Sequence, residues 1–228
     1  MPKIILVRHL KSQWNKDNRF AGWTDGPIAK GEFQKAAYLS KIIFRNKIDV
    51  AYTSPLFRNQ DTVAKIFENI DNKYPFFIHL DKGKMQKWGN FVDISENDIP
   101  VYVTEKLNER YYGKLQGLNK KETIEKYGEE KVNLWRRSYN IAPPNGESLK
   151  DVYNRVIPFF KKYIEKDIKK NRNIMVVSSH NSLRAIVKYI ENISSEKIAG
   201  VEFPFGGILE YQFDEKMNLK SKKHFENI

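Results

Sequence analysis

The sequence predicts an α/β protein with a mostly parallel central sheet, helices on both faces and an inserted lid or side segment. Three observations support this prediction. Short apolar runs are rich in Ile and Val, longer amphipathic stretches separate them, and polar residues follow the end of each run. A length of 228 residues suits one large domain. We therefore predict a single domain over 1–228, with an insertion at about 71–148.

Three apolar runs are predicted to be strands of the sheet. They are Lys3–Val7, Ile48–Tyr52 and Ile174–Val177. Uninterrupted apolar runs of this length are typical of strands that are buried on both faces of a parallel sheet. In such sheets, ligands bind beyond the carboxyl ends of the strands. The residues that follow these runs are therefore the candidates for a functional site.

Four amphipathic stretches are predicted to be the helices between the strands. They are Glu32–Phe44, Asp61–Ile70, Ser148–Ile168 and Leu183–Ile193. Ser148 and Asp151, three residues apart, predict a capping box at the start of the longest helix. The range 71–148 does not follow the alternation of apolar runs and amphipathic stretches. It contains an isolated strand candidate at Val101–Val103 and a polar helical region over Lys120–Tyr139. We predict that this range lies over the ligand-binding edge of the sheet.

The composition favours a small, anionic partner. Lysine and arginine total 40 against 28 acidic residues, which gives a formal net charge of +12. This charge attracts polyanions, but no nucleic-acid recognition motif accompanies it. No apolar run approaches the ~20 residues of a membrane span, and we identify no signal peptide. We expect a small phosphorylated metabolite as partner, no nucleic-acid or membrane partner, and a cytoplasmic location.

Two of only four histidines, His9 and His180, end predicted parallel strands, with Arg8 and Arg58 close to the same edge. A neutral imidazole is a good nucleophile toward phosphorus, and arginine binds phosphate with its planar fork. Each residue also has a simpler interpretation, because such histidines often only satisfy a loop. No spacing suggests metal ligands, so we predict phosphoryl transfer without a metal.

Five motifs follow one another along nearly the whole chain, apart from much of 71–104. They are LVRHLKSQWNKDNRFAGWTD, YTSPLFR, LNERYYGKLQGLNKKETIEKYGEEKVNLWRRSYN, PPNGESLKDVYNRVIPFF and HNSLRAIVKYIEN. The sequence resembles the cofactor-dependent phosphoglycerate mutases of the histidine phosphatase superfamily. The resemblance implies interconversion of 3-phosphoglycerate and 2-phosphoglycerate in glycolysis and gluconeogenesis through a phosphohistidine. It also implies 2,3-bisphosphoglycerate as primer, no metal, and a homodimer or homotetramer.

The resemblance implies roles for the residues that match the family's motifs. His9 would be the phosphorylated nucleophile and Glu109 the general acid and base. The phosphoryl group would be held by Arg8, Asn15, Arg58 and a histidine of the 178–181 turn, for which we name His180. The substrate's carboxylate and second phosphate would be bound by Tyr112, Lys120, Arg136 and Arg137. Gly22 would bring its backbone close to the ligand, and Asn181 is predicted to bind substrate as well.

Both histidine motifs lack the glycine that follows the histidine in the family. In the first motif Leu10 and Lys11 replace Gly-Glu, so we expect Leu10 to narrow the phosphate pocket or twist the turn, and Lys11 to add positive charge. The last motif leaves two alignments open. With one residue deleted, His180 keeps the histidine's place. Without a gap, which we favour because a deletion would re-register the turn, Ser179 takes it and His180 takes the glycine's place.

Smaller departures affect Ala21, Tyr111 and Phe205, where the family usually has a hydroxyl residue, a histidine and a threonine. Three hypotheses therefore stay open. The first is a phosphoglycerate mutase whose turnover the altered motifs could impair. The second is a histidine phosphatase that acts on small molecules. The third is a catalytically weak relative that binds polyanions.

Overall fold

A seven-stranded sheet runs through the part of the chain that this computed structural model describes, which is residues 1–89, 93–214 and 216–225. The strands are β1 (Lys3–Arg8), β2 (Val50–Thr53), β3 (Tyr74–His79), β4 (Asp98–Val103), β5 (Ile174–Ser178), β6 (Ile208–Phe213) and β7 (Leu219–Phe225). Their order is β3-β4-β2-β5-β1-β6-β7. The first five in this order are parallel, whereas β6 is antiparallel to both β1 and β7. The predicted, mostly parallel sheet is confirmed.

Helices cover both faces of the sheet. They are α1 (Gln13–Lys16), α2 (Lys35–Ile43), α3 (Phe57–Phe67), α4 (Lys84–Trp88), α5 (Lys120–Tyr127), α6 (Glu129–Arg137), α7 (Leu149–Phe159), α8 (Glu165–Lys169) and α9 (His180–Ile190). Short 3₁₀ turns occupy Glu32–Gln34, Glu105–Leu107, Gly113–Leu115 and Lys197–Gly200, and a π-helical turn occupies Phe160–Ile164. Within the described residues, no helix is long and apolar enough to cross a membrane.

Strand β1 shows why its sequence is apolar without interruption. Ile4 and Leu6 pack into the same buried cluster as α7 and α9, whereas Ile5 and Val7 pack into the cluster of α2 and α3. Successive side chains of a strand point to opposite faces, so every residue of a strand with helices on both sides is buried. Full burial of each such side chain contributes roughly 1.5–3 kcal/mol, and the strand is thereby fixed at the centre of the sheet.

The long helix predicted over Ser148–Ile168 is continuous but changes its winding. Its predicted capping box is present, since Ser148 Oγ accepts from Asp151 N at 3.2 Å and Asp151 Oδ2 accepts from Ser148 N at 2.9 Å. Pro158 lies within α7 and has no N–H to donate to the preceding turn. The π-helical turn begins two residues after this proline, which is where an interrupted ladder is expected to rearrange.

The boundary predicted for the insertion, 71–148, needs correction. Both β3 and β4 fall inside this range, and they form the outer part of the parallel sheet. Strand β3 is an edge strand with several exposed residues, and it contains Pro75, which is not expected in a central strand. The segment that reaches the site therefore begins only after β4. Residues 90–92 of the predicted insertion lie outside the described residues.

The polar helical region predicted over Lys120–Tyr139 is two helices, α5 and α6. They are separated by Gly128, whose φ of +85° favours glycine and ends α5. Asn119 caps α5 through its side chain, which accepts from Lys121 N at 2.9 Å. These helices present Lys120 at the start of α5 and the pair Arg136–Arg137 at the end of α6.

Replacing Gly113 with alanine is expected to lower the free energy of unfolding by about 2–4 kcal/mol. Gly113 has a φ of +54°, and a Cβ atom there would lie 2.2 Å from the backbone oxygen of Pro144. Urea unfolding followed by circular dichroism measures the change. Gly200→Ala is the matched control, because an added Cβ there meets no atom within 4 Å. Equal stability of the two variants would contradict the prediction.

Candidate active site

A cavity of about 230 Å³ lies at the carboxyl edge of the parallel strands. The structure brings all twelve sequence-predicted site residues to its walls. They are Arg8, His9, Asn15, Gly22, Arg58, Glu109, Tyr112, Lys120, Arg136, Arg137, His180 and Asn181. Five further residues line it: Arg19, Phe20, Ala21, Glu202 and Phe205. Cationic residues outnumber acidic residues among those that line the cavity, which favours a small polyanion as the ligand.

His9 is buried directly after β1, and one ring nitrogen is already engaged. Its Nδ1 lies 2.6 Å from the backbone oxygen of Leu10, which can only accept, so Nδ1 carries the proton. The other nitrogen, Nε2, therefore keeps its lone pair. Burial, together with the charges of Arg58 and Arg8, holds the pKa of His9 well below its usual value. At neutral pH His9 is thus a neutral imidazole with a nucleophilic Nε2.

Leu10 does not narrow the cavity, so the first of the two effects expected of it was wrong. Its side chain is fully buried in the cluster that contains Ile28 and Val63. Its backbone N–H donates to Thr62 Oγ1 at 3.0 Å. The chain after β1 keeps Leu10 in the apolar cluster of α2 and α3, and Leu10 does not line the cavity. Lys11 is likewise not among the residues that line the cavity.

Arg8 and Arg58 present buried guanidinium groups to the cavity. Arg58 donates to the backbone oxygens of Thr24 at 3.0 Å and Gly22 at 2.7 Å, and Arg8 donates to the backbone oxygen of Phe203. The Nε atom of each arginine is buried without a hydrogen-bond partner. Burial lowers the pKa of Arg8 to about 10, so it stays charged at neutral pH. An anion between these two groups would satisfy both orphan donors.

Glu109 is held as a carboxylate by directed hydrogen bonds. Its Oε1 accepts from the backbone N–H of Arg110 at 2.6 Å and from Asn181 Nδ2 at 2.8 Å. Arg184 Nη1 donates to Asn181 Oδ1 at 3.2 Å, which fixes the orientation of that amide. Burial alone would raise the pKa of Glu109, but these hydrogen bonds and the charge of Arg58 keep it below its usual value. Glu109 is therefore ready to accept a proton.

A second group of lining residues is cationic. Lys120, Arg136 and Arg137 line the cavity together with Tyr112, whose hydroxyl accepts from Asn181 Nδ2 at 3.3 Å. Burial and the charge of Arg136 lower the pKa of Lys120 to about 8. Such a cluster favours a ligand that carries more than one negative charge.

Asn15 and Gly22 contribute through their local structure. Asn15 Oδ1 accepts from Ser12 Oγ at 2.8 Å in the capping box of α1, which leaves its Nδ2 as the atom to donate to a ligand. Gly22 adopts a φ of +51°, and its backbone oxygen holds Arg58. The role of Gly22 seen here is to position an arginine.

The structure places His180, and not Ser179, in the cavity. Ser179 is the buried N-cap residue of α9, and its Oγ lies 3.3 Å from Asn59 Nδ2. The first helical residue is His180, whose Nε2 lies 3.3 Å from a carboxylate oxygen of Glu202. Burial lowers the pKa of His180 to about 4, although Glu202 partly opposes this effect. His180 is therefore neutral at physiological pH.

Sequence reasoning missed three residues of the cavity, namely Arg19, Phe20 and Glu202. Arg19 donates to the backbone oxygen of Gly117 at 2.9 Å, and it lies within the first family-like motif, which could have signalled it. Glu202 pairs with both His180 and Arg137, and no sequence signal marks it. Within the described residues, no group of three or more His, Asp or Glu side chains could hold a metal ion.

Comparison with known proteins assigns the family. Residues 4–82 and 92–222 match the model of the histidine phosphatase superfamily (branch 1). The chain belongs to this superfamily. A relative from Methanococcus vannielii named 2,3-bisphosphoglycerate-dependent phosphoglycerate mutase is 44% identical, over 100% of this chain and 99% of its own. The same name is carried by a relative from Chlamydia pneumoniae, 40% identical over 99% of each chain.

The predicted membership of the histidine phosphatase superfamily, among the cofactor-dependent phosphoglycerate mutases, is thus confirmed. The fold is similar to that of Bacillus stearothermophilus YhfR, with a TM-score of 0.75, 18% identity, and coverage of 96% of this chain and 95% of that chain. At this identity the structural similarity supports the superfamily's fold alone. Every cavity residue predicted from the motifs lies within the matched ranges.

Proposed function

We propose that the protein interconverts 3-phosphoglycerate and 2-phosphoglycerate through a phosphohistidine on His9, in glycolysis and gluconeogenesis. The observation that carries this proposal is the neutral His9, with its free Nε2, beside the unpartnered Nε atoms of Arg8 and Arg58. The full-length relatives named as 2,3-bisphosphoglycerate-dependent phosphoglycerate mutases support the same activity.

His9 supplies the lone pair that forms the bond to phosphorus. Because Nδ1–H is held by the Leu10 oxygen, the ring cannot turn to offer its other nitrogen without losing that hydrogen bond. Arg8 and Arg58 stabilise the charge on the transferring phosphoryl oxygens, and they are already placed by backbone oxygens before the ligand binds. Prepositioned charges of this kind need no reorganisation during the reaction.

Glu109 moves the proton of the substrate hydroxyl. In the forward half-reaction the ionised carboxylate takes the hydroxyl proton while the oxygen attacks phosphorus, and the electron pair of the P–N bond returns to Nε2. In the return half-reaction the protonated Glu109 gives that proton back to the departing oxygen. The lowered pKa of Glu109 suits the first of these roles in the resting phosphoenzyme.

The residues of the cavity fit the proposed primer, 2,3-bisphosphoglycerate, which supplies the phosphoryl group for His9. Arg8 and Arg58 would hold one phosphate, since each has an unpartnered buried donor. Lys120, Arg136 and Arg137, which line the same cavity, would hold the second phosphate and the carboxylate. The homodimer or homotetramer implied by the resemblance stays a proposal, and so does the cytoplasmic location expected from the sequence.

Two parallel assays test the proposed function. An enolase-coupled assay with 3-phosphoglycerate, run with and without 2,3-bisphosphoglycerate, measures mutase turnover, and a phosphate-release assay on the same samples measures hydrolysis. We expect primer-dependent turnover that exceeds phosphate release. Phosphate release without detectable isomerisation would indicate a phosphatase instead of a mutase. The absence of both activities would favour the hypothesis of a polyanion-binding protein.

Lys120 gives the proposal a pH signature. Its lowered pKa of about 8 means that the ammonium is charged below that pH and neutral above it. We expect kcat/KM to fall as pH rises through about 8, because the free enzyme loses a charge that attracts the substrate. Lys120→Arg should remove this decline, since the guanidinium keeps its charge. A decline that persists unchanged in Lys120→Arg would assign it to another group.

A further inference from the structure

The turn Pro204–Gly206 is bonded directly to the backbone that carries the nucleophile. Gly206 N donates to the backbone oxygen of Arg8 at 3.1 Å and to that of His9 at 3.3 Å. Arg8 N in turn donates to the backbone oxygen of Gly207 at 3.1 Å. Any side chain at the tip of this turn is therefore fixed relative to the imidazole.

Phe205 is the residue at that tip, and its ring covers two groups of the site. The ring centroid lies 3.6 Å from Arg8 Cζ, which is a stacked cation–π contact. The centroid also lies 5.6 Å from the centroid of the His9 ring, with the two planes inclined by 56°. Phe205 is half-buried and lines the cavity, so it occupies space beside the nucleophile that solvent would otherwise fill.

We propose that Phe205 is a specificity-determining residue that keeps water away from phosphorylated His9, and so favours phosphoryl transfer to the substrate over hydrolysis. This inference rests on the proposed function. In the competing hydrolysis, water's oxygen forms the bond to phosphorus and the P–N bond breaks. Its electron pair returns to Nε2, and both protons of water leave with dihydrogen phosphate or pass to solvent.

An apolar ring suits this task better than the small hydroxyl side chain usual at this position in the family. A water molecule that attacks phosphorus needs room and hydrogen-bond partners beside the phosphoryl group, and the ring offers neither. The cationic residues Arg8 and Arg58 also line the cavity, and they would bind the phosphoryl oxygens themselves. The ring thus excludes water from the space beside phosphorus, whereas a substrate bound by Lys120, Arg136 and Arg137 can still place its hydroxyl there.

The experiment measures how long the phosphoenzyme survives. Wild type, Phe205→Ala and Phe205→Leu are loaded with 2,3-bisphosphoglycerate and freed of excess ligand, and the added phosphate is followed by intact mass and phosphate release. We expect Phe205→Ala to shorten the half-life about ten-fold, equal to about 1.4 kcal/mol in the barrier. Phe205→Leu should keep a near wild-type half-life, because it retains apolar bulk but loses the cation–π contact.

Phe33→Ala is the matched control, because Phe33 is exposed, makes a cation–π contact with Lys65 at 5.2 Å and does not line the cavity. An unchanged half-life in Phe205→Ala, or equal shortening in the leucine variant, would overturn the water-exclusion role. If the alanine variant does not fold, Phe205→Thr carries the same test, since threonine also leaves room for water. A wild-type protein that never gains phosphate would overturn the proposed function itself.

Discussion

His9→Ala is expected to lose the phosphoenzyme entirely and to lower kcat by about 10⁴-fold or more. The alanine leaves Arg8 and Arg58 in place, so the variant should still bind phosphorylated ligands, but no atom remains to accept the phosphoryl group. After incubation with 2,3-bisphosphoglycerate, intact-mass measurement should show one acid-labile phosphate on the wild type and none on the variant. Substrate affinity, measured by calorimetry, should change much less than turnover.

His224→Ala is the matched control for this experiment. His224 is exposed on the edge strand β7 and does not line the cavity. The His224→Ala variant should be phosphorylated on His9 and should have the same turnover as the wild type. Comparable activity of the wild type and His9→Ala would remove every hypothesis in which this imidazole carries the phosphoryl group.

Glu109→Gln is expected to lower kcat by roughly 10²–10⁴-fold with a smaller effect on KM. Glutamine can still accept through its amide oxygen from Arg110 N and Asn181 Nδ2, so the local structure should persist, but it cannot take the hydroxyl proton. Transfer from a preloaded phosphoenzyme to 3-phosphoglycerate, followed in a single turnover, measures the affected step directly.

The pH dependence gives a second test of Glu109. Its folded pKa lies below the usual value, so the carboxylate stays ionised as pH falls and protonates only below its ordinary range. The wild type should therefore keep its transfer rate down to mildly acidic pH, whereas Glu109→Gln should be slow at every pH. Glu105→Gln, at an exposed position nearby, is the control expected to match the wild type. A transfer rate in Glu109→Gln close to the wild type would exclude the proton-transfer role.

Much of the fold could be predicted because the central strands are buried on both faces. The runs that became β1, β2 and β5 are continuous and apolar for that reason. The edge strand β3 could not be predicted in the same way, because it contains Pro75, which argues against a strand inside a sheet. Its place in the sheet depends on pairing with β4, which no local pattern encodes.

The site was predictable where chemistry and strand position coincide. Arg8 and His9 lie at the end of a buried strand, and the family resemblance added the substrate-binding residues Lys120, Arg136 and Arg137. The direction of the Leu10 side chain was not predictable from the motif, because it depends on how the chain leaves β1 and meets Val63. Glu202 escaped notice since its partners, His180 and Arg137, lie far from it in the sequence.

The position of β1 has a consequence for the newly made chain. Ile4 pairs with Ile174 on one side and with Tyr211 on the other, so both neighbours of this strand are synthesised long after it. Until they emerge from the ribosome, the apolar residues Ile4–Val7 lack their permanent partners, and exposed apolar segments of this kind favour aggregation. The strand that ends at the nucleophile is thus completed only after β5 and β6 have been translated.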